Sequence, residues 1–204
     1  MGRSRRQAAD LAHAIKTPSA IMRNELGALQ TKGLDVGDAL NALDSLDAQL
    51  KRSFARMRAD GTQNAMPVVT DGTDALSRMT RAFTALARNA SRTLSSDIAS
   101  GLRIRIDKSD LEEIIGNMLD NALKWSKSHV HLQAARVADK IVIKIEDDGP
   151  GIADADKPRA TQSGQRLDTA KPGTGLGLAI AQDLVQAYGG TLTLGRSEDH
   201  GGLS

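Results

Sequence analysis

The stretch Ile141-Val142-Ile143-Lys144-Ile145-Glu146-Asp147-Asp148-Gly149-Pro150-Gly151 joins an alternating run to a glycine turn. Successive side chains of a strand point to opposite faces. Ile141, Ile143, Ile145 and Asp147 therefore share one face, with Val142, Lys144, Glu146 and Asp148 on the other. An aspartate that continues an apolar face needs a hydrogen-bonding partner; an adenine amino group would serve. Gly149 and Gly151 let the backbone turn sharply and leave room for a flat ring. Asp-Gly pairs also end ordinary strands, so the motif takes its meaning from what flanks it.

Upstream, 109–125 reads as a helix with Ser109 as N-cap. Leu111, Ile115, Met118 and Ala122 form its buried stripe, and Glu113, Asn117, Asn121, Lys124 and Trp125 a polar stripe beside it. Asparagine is a poor helix former because its amide competes for backbone hydrogen bonds. Two of them one turn apart in mid-helix suit either a ligand or a tolerant exposed face. Between helix and motif, 129–135 alternates as a strand and pairs with 140–147 as a hairpin across 136–139.

Downstream, after a long polar loop, Gly173-Thr174-Gly175-Leu176-Gly177-Leu178 opens a helix over 175–188, followed by a strand over 191–194. Bare amides at a helix N-terminus bind phosphate, and glycine permits close approach. No strand precedes this run and the spacing is not that of a dinucleotide fingerprint; no Lys-Ser/Thr follows, as a Walker loop requires. With a helix over 73–90 and a strand over 102–106, the region reads as an α/β sandwich, helices on one face of a mixed sheet.

The first part of the chain has a different pattern. Leu11, Ile15, Pro18, Met22, Leu26 and Leu29 recur at spacings of three and four in a helix over 4–30. After a loop over 31–37, with Asp38 as N-cap, Leu40, Leu43, Leu46, Leu50, Phe54 and Met57 repeat the stripe. Two such helices make an antiparallel hairpin but cannot enclose a core, so two copies are expected to form a four-helix bundle, a homodimer. His13 lies about 200° round the helix from Leu11 and shares an exposed face with Thr17. The glycine- and proline-containing segment 61–72 is the expected linker. The division is 1–60, 61–72 and 73–204.

Composition limits the rest. Hydrophobic residues are 40%, charged residues 25% and aromatics 2%, so a soluble core must rest on aliphatic side chains. A net charge of +2 is too balanced to argue for nucleic-acid binding. Arg3, Arg5 and Arg6 form a local basic cluster, either a solvated helix start or a juxtamembrane stretch. There is no cysteine, hence no disulfide framework, and no apolar run approaches a membrane span.

Asn117-x-x-x-Asn121, Asp147-x-Gly149-x-Gly151, a polar loop and Gly173-x-Gly175-x-Gly177, in that order, resemble the ATP-binding domain of the histidine kinase, gyrase, Hsp90 and MutL superfamily, the Bergerat fold. His13-x-x-x-Thr17-Pro18 on the preceding hairpin then looks like the phosphoacceptor box of a two-component sensor histidine kinase. The stretch Gly164-Gln165-Arg166-Leu167-Asp168-Thr169 with Pro172 is similar to the lid of PhoQ-type kinases. The resemblance covers most of the chain.

It implies that Asp147 accepts from the adenine amino group and that Trp125 lies against the ring or ribose, where relatives more often carry tyrosine. Asn121 would give an oxygen to Mg²⁺, a hard ion that keeps waters and takes phosphate oxygens. Lys124, Arg166 and Lys171 would meet phosphate, and Gly173, Gly175 and Gly177 would shape the end of the lid. Superfamily members that hydrolyse ATP place a glutamate at the position of Asn117, so a different nucleophile is implied, the His13 imidazole. Ala14 replaces the acidic neighbour many relatives have, and the last strand of relatives is not reached. The expected function is an ATP- and Mg²⁺-dependent protein-histidine kinase that phosphorylates His13 and passes the group to a response-regulator aspartate, with Thr17 serving regulator dephosphorylation. The alternatives are a non-catalytic dimeric phosphotransfer scaffold and an ATPase or serine kinase of the same fold. The sequence reads as a cytoplasmic piece of a longer sensor of the inner membrane.

Overall fold

The computed structural model describes residues 18–19, 21–22, 24–40, 42–43, 46, 68–160 and 177–204. In the first group, residues 24–31 are helical and end on Gly33, whose φ of +84° is a left-handed conformation that glycine adopts without strain. The Leu34 amide donates to Leu29 O at 3.2 Å and the Gly33 amide to Gln30 O at 3.0 Å, satisfying carbonyls the helix leaves open. Helix resumes at residue 37. Val36 stands at the N-cap position, Asp35 Oδ1 accepts the Gly37 amide at 3.2 Å from one residue further back, and Asp38, the expected N-cap, already lies inside the helix.

The larger group is built on a three-stranded mixed sheet of β2 (Thr93–Ile98), β4 (His129–Val137) and β5 (Lys140–Asp147) in that order, in which β2 and β4 are parallel and β4 and β5 antiparallel. β1 (Thr70–Asp71) lies at the end of the segment expected as linker and pairs instead with β3 (Arg103–Ile104). Helix α1 (Gly72–Asn89) follows, capped by Asp71, which accepts the Asp74 amide at 3.0 Å. Gly72 is needed there, since a Cβ would stand 2.7 Å from Ile104 Cδ1. β2 (Thr93–Ile98), α2 (Lys108–Trp125), β4 (His129–Val137) and β5 (Lys140–Asp147) complete the framework.

The expected strand over 102–106 shortens to two paired residues because its partner β1 is only two residues long. Leu102 and Ile106 are buried on either side of it, as their alternation requires. The start of α2 also moves: Asp107, not Ser109, is the N-cap, accepting the Ser109 amide at 2.9 Å.

The helices lie on one face of the sheet: α1 packs on β2 and α2, and α2 on β4, β5 and the later helix α4 (Gly177–Ala187). A short α3 (Lys157–Ala160) precedes it. Leu76, Leu102, Ile115, Leu119, Val130, Leu132 and Leu184 fill the space between these layers, so the core is aliphatic, as the scarcity of aromatics requires. Leu111, Ile115 and Ala122 are buried with Ile114, Leu119 and Leu123, whereas Met118 is only half-buried.

The expected strand over 191–194 has no ladder. Pairing begins one residue later, where Gly195 and Ser204 exchange hydrogen bonds at 2.7 and 2.9 Å and Arg196 bridges Leu203. This terminal hairpin lies beside the end of β5, with the Asp147 amide donating to Leu203 O and the Gly202 amide to Asp147 O. Its turn packs His200 against His129, ring centroids 5.0 Å apart.

Candidate nucleotide site

Three elements converge at one end of the sheet. Helix α2 presents half-buried Asn117 and Asn121 one turn apart, followed by Lys124 and Trp125 at its C-terminus. The Asn117 amide bends back, Nδ2 donating to Glu113 O at 2.9 Å. This is the backbone competition expected of a mid-helix asparagine. Its Oδ1 faces the first residue of α4, where a Cβ on Gly177 would stand 3.4 Å away. The start of α4 is thus seated against the asparagine stripe.

The end of β5 supplies the second element. Asp147 is 2% exposed, on the buried face that its alternation with Ile141, Ile143 and Ile145 assigns. Its Oδ1 accepts two backbone amides, Gly149 at 2.8 Å and Leu203 at 3.2 Å. Burial pushes its pKa up, the two amides pull it down and the neighbouring Asp148 charge adds to the rise; the net shift is upward. Gly149 turns the chain against the end of α2. A Cβ there would lie 2.6 Å from Trp125 O, so only glycine fits. Gly151, at φ +72°, takes the left-handed conformation that the turn needs. Lys124 Nζ sits 5.1 Å from the centroid of the Trp125 ring, a cation–π contact.

Two features were not legible as site residues. Asp148 turns to the opposite side from Asp147 and ties β5 to the segment leaving α2. Its Oδ1 accepts the Lys127 amide at 2.7 Å, and its Oδ2 accepts the Ser128 amide at 3.0 Å and the Ser128 hydroxyl at 2.6 Å. The terminal hairpin is the other. Besides the Leu203 amide, Gly202 packs so closely that a Cβ would collide with Asp147 O, Asp147 Oδ1 and Gly149 N. The hairpin is held by Ser197, whose buried hydroxyl donates to Glu146 Oε1 at 2.7 Å while Lys144 Nζ lies 2.9 Å from the same oxygen. Burial raises the Glu146 pKa, but Ser197 and Lys144 more than reverse this and the group ends below its ordinary value.

The structure therefore sets Gly149, two residues after Asp147, against Trp125 and Gly177 against Asn117, two contacts on one helix that carries Asn121 and Lys124 between them. His13, Thr17, Arg166, Lys171, Gly173 and Gly175 lie outside the described residues. The amide oxygens of α2 are neutral hard donors, which fits a Mg²⁺ that brings phosphate and water ligands of its own. Among the described residues no group of three histidine, cysteine or acidic side chains could hold a metal by itself.

A mixed sheet covered on one face by helices, with a buried aspartate at a strand end and an asparagine-bearing helix beside it, defines an α/β sandwich domain. Residues 106–204 match the family described as histidine kinase-, DNA gyrase B-, and HSP90-like ATPase. Sensor protein PhoQ of Escherichia coli (strain K12) is 30% identical over 192 residues, which are 92% of this chain and 40% of PhoQ. The chain thus spans about two fifths of the length of that relative. The mycobacterial sensor histidine kinase MprB superposes with a TM-score of 0.59 at 25% identity, over 68% of this chain and 93% of that one. Full-length ShkA, solved in complex with AMPPNP, gives 0.60 at 23% identity, over 94% of this chain and 43% of that one, a likeness of fold. Residues 106–204 accordingly match an ATPase-type family, and the chain is similar to sensor histidine kinases over nearly its whole length.

Proposed function

We propose that the chain is the kinase core of a two-component sensor, in which ATP held at 73–204 phosphorylates His13 on a helical domain over 1–60, joined by 61–72. The observation that carries this reading is Asp147: buried, fixed through Oδ1 by two amides, and two residues before a glycine that lets the chain pass against the end of α2. A buried carboxylate whose ionised form burial disfavours is suited to a ligand donor, and the adenine amino group is one.

In this reading Trp125 lies against the base or ribose, and Lys124, Arg166 and Lys171 neutralise phosphate oxygens. Gly173, Gly175 and Gly177 bring backbone amides to the triphosphate at the start of α4. Asn121 holds Mg²⁺ through its amide oxygen; the ion, when bound, neutralises phosphate charge. Asn117 cannot take a proton from water, so the site does not generate hydroxide. The His13 imidazole nitrogen forms the new P–N bond as the bond from the γ-phosphorus to the bridging oxygen breaks and ADP leaves. The imidazole proton passes to solvent, because Ala14 offers no base. The phosphoryl group then moves to an aspartate of a response regulator, and Thr17 orients water for the reverse, phosphatase reaction.

The described part of the helical region fits a dimer. Met22 and Leu46, both on the expected seams, are 47% and 48% exposed in the single chain, while Leu43 is buried. A second copy would cover them in a four-helix bundle. We place the chain on the cytoplasmic side of the membrane, as part of a longer sensor; no described helix is long and apolar enough to cross a bilayer.

Incubation with γ-labelled Mg-ATP tests the reading. A phosphoryl adduct labile to acid and stable to base supports the kinase. Nucleotide binding with no adduct would favour the non-catalytic scaffold, and release of phosphate without an adduct would favour an ATPase.

A further inference from the structure

We infer that Asp148 is a positioning residue that sets the spacing between the adenine half and the phosphate half of the nucleotide site. The inference rests on the ATP-binding reading above. The two halves come from different elements: Asp147 ends β5, and Asn117, Asn121 and Lys124 stand on α2. Nothing in the strand ladder joins the end of β5 to the end of α2. Asp148 does so directly.

Its carboxylate takes hydrogen bonds from both amides of the α2 exit, Lys127 at 2.7 Å and Ser128 at 3.0 and 3.1 Å, and from the Ser128 hydroxyl at 2.6 Å. Its own amide donates to His129 O at 3.2 Å. Side chain and backbone of one residue are therefore fastened to three consecutive residues that begin two positions after Trp125. On the other side, the Asp148 peptide continues from Asp147, and the next residue, Gly149, abuts the Trp125 carbonyl. A shift of the α2 exit by a fraction of an ångström would be felt both at this carbonyl and at the Asp147 carboxylate.

The same bonds outweigh burial and hold the Asp148 carboxyl well below the usual carboxylate range, so the tether stays ionised through neutral pH. Charge-assisted bonds to backbone amides are also the strong kind. Asparagine could keep only part of the arrangement. It has one acceptor oxygen, and its NH₂ would face the Ser128 amide, donor against donor.

Trp125 is the single tryptophan and reports the site. The full chain and its Asp148→Ala and Asp148→Asn variants are titrated with Mg-ATP and, separately, with adenosine, following Trp125 fluorescence, with far-UV circular dichroism as the check of fold. Asp148→Ala should weaken ATP about tenfold but adenosine less than about threefold, because only ATP must span both halves, with Asp148→Asn in between. Iodide quenching of Trp125 in the ligand-free protein should change in the same order. ATP affinity within about twofold of the parent, or equal losses for ATP and adenosine, in a folded variant overturns the assignment. If Asp148→Ala does not fold, Asp148→Asn carries the same two readouts. A parent chain that responds to neither ligand refutes the ATP-site reading instead, and ligand-free quenching then decides the tether by itself.

Discussion

The Leu203 amide donates to Asp147 Oδ1 at 3.2 Å across 56 residues of chain. With the Gly149 amide on the same oxygen at 2.8 Å, it fixes the rotation of the carboxylate. The buried acceptor of the candidate site is therefore oriented by backbone alone, from a turn on one side and a hairpin on the other.

Asp147→Asn should separate binding from stability. The asparagine oxygen can take both amides, but its NH₂ then meets the adenine amino group donor to donor. ATP affinity should fall about tenfold to a hundredfold, the cost of a lost bond to a charged acceptor, measured by calorimetric titration. Stability should move the other way. Burial raises the folded-state pKa of Asp147 above its ordinary value of 3.8, so ionisation costs the fold stability once the pH has risen through that raised value. The ligand-free variant should be at least as stable as the parent to urea at pH 7. The difference should close as the pH falls towards 3.8 and Asp147 regains its proton. A variant that is less stable at pH 7 would contradict this.

Gly202→Ala should damage both properties. The added methyl would collide with Asp147 O, Asp147 Oδ1 and Gly149 N, two of the three being backbone. A shift of the hairpin by enough to admit it costs about 1–3 kcal/mol and withdraws the Leu203 amide. Urea denaturation and ATP titration on one preparation would check the pair. Loss of stability with ATP affinity intact would show that the hairpin does not orient Asp147.

Tyr188→Phe should affect stability alone. Tyr188 Oη donates to Asp110 Oδ2 at 2.5 Å, joining the chain just after α4 to the first turn of α2 at the end remote from Asp147. Asp110 is 1% exposed, so losing the phenol should lower stability by about 1–3 kcal/mol. ATP affinity of the folded variant should stay within about twofold of the parent. An unchanged urea midpoint would show that the bond contributes nothing.

The residues legible in the sequence were those whose chemistry conflicts with their position: Asp147 on an apolar strand face, and Asn117 and Asn121 inside a helix. The β4–β5 hairpin was legible from alternation, and its turn at Ala138 (φ +52°) falls within the expected 136–139. β2 was not seen, because only Leu94 and Ile98 of Thr93–Ile98 are apolar and the residue between them on the same face is Ser96. Asp107 and Ser109 are equally good caps by type, and the choice between them depends on where β3 releases the chain. Asp148 and the Gly202–Leu203 contact are tertiary. A carboxylate that binds main-chain amides 20 residues away, and an amide that reaches 56, leave no periodic trace.

In the proposed reaction the γ-phosphate of ATP bound at Asp147 ends on His13. The most direct test is tandem mass spectrometry, under alkaline conditions that preserve phosphohistidine, of the chain after incubation with Mg-ATP, alongside His13→Ala and Asp147→Asn. We expect a single phosphoryl group on His13 in the parent, none in His13→Ala and strongly reduced labelling in Asp147→Asn. Phosphate on another residue, or undiminished labelling after His13→Ala, would contradict the account.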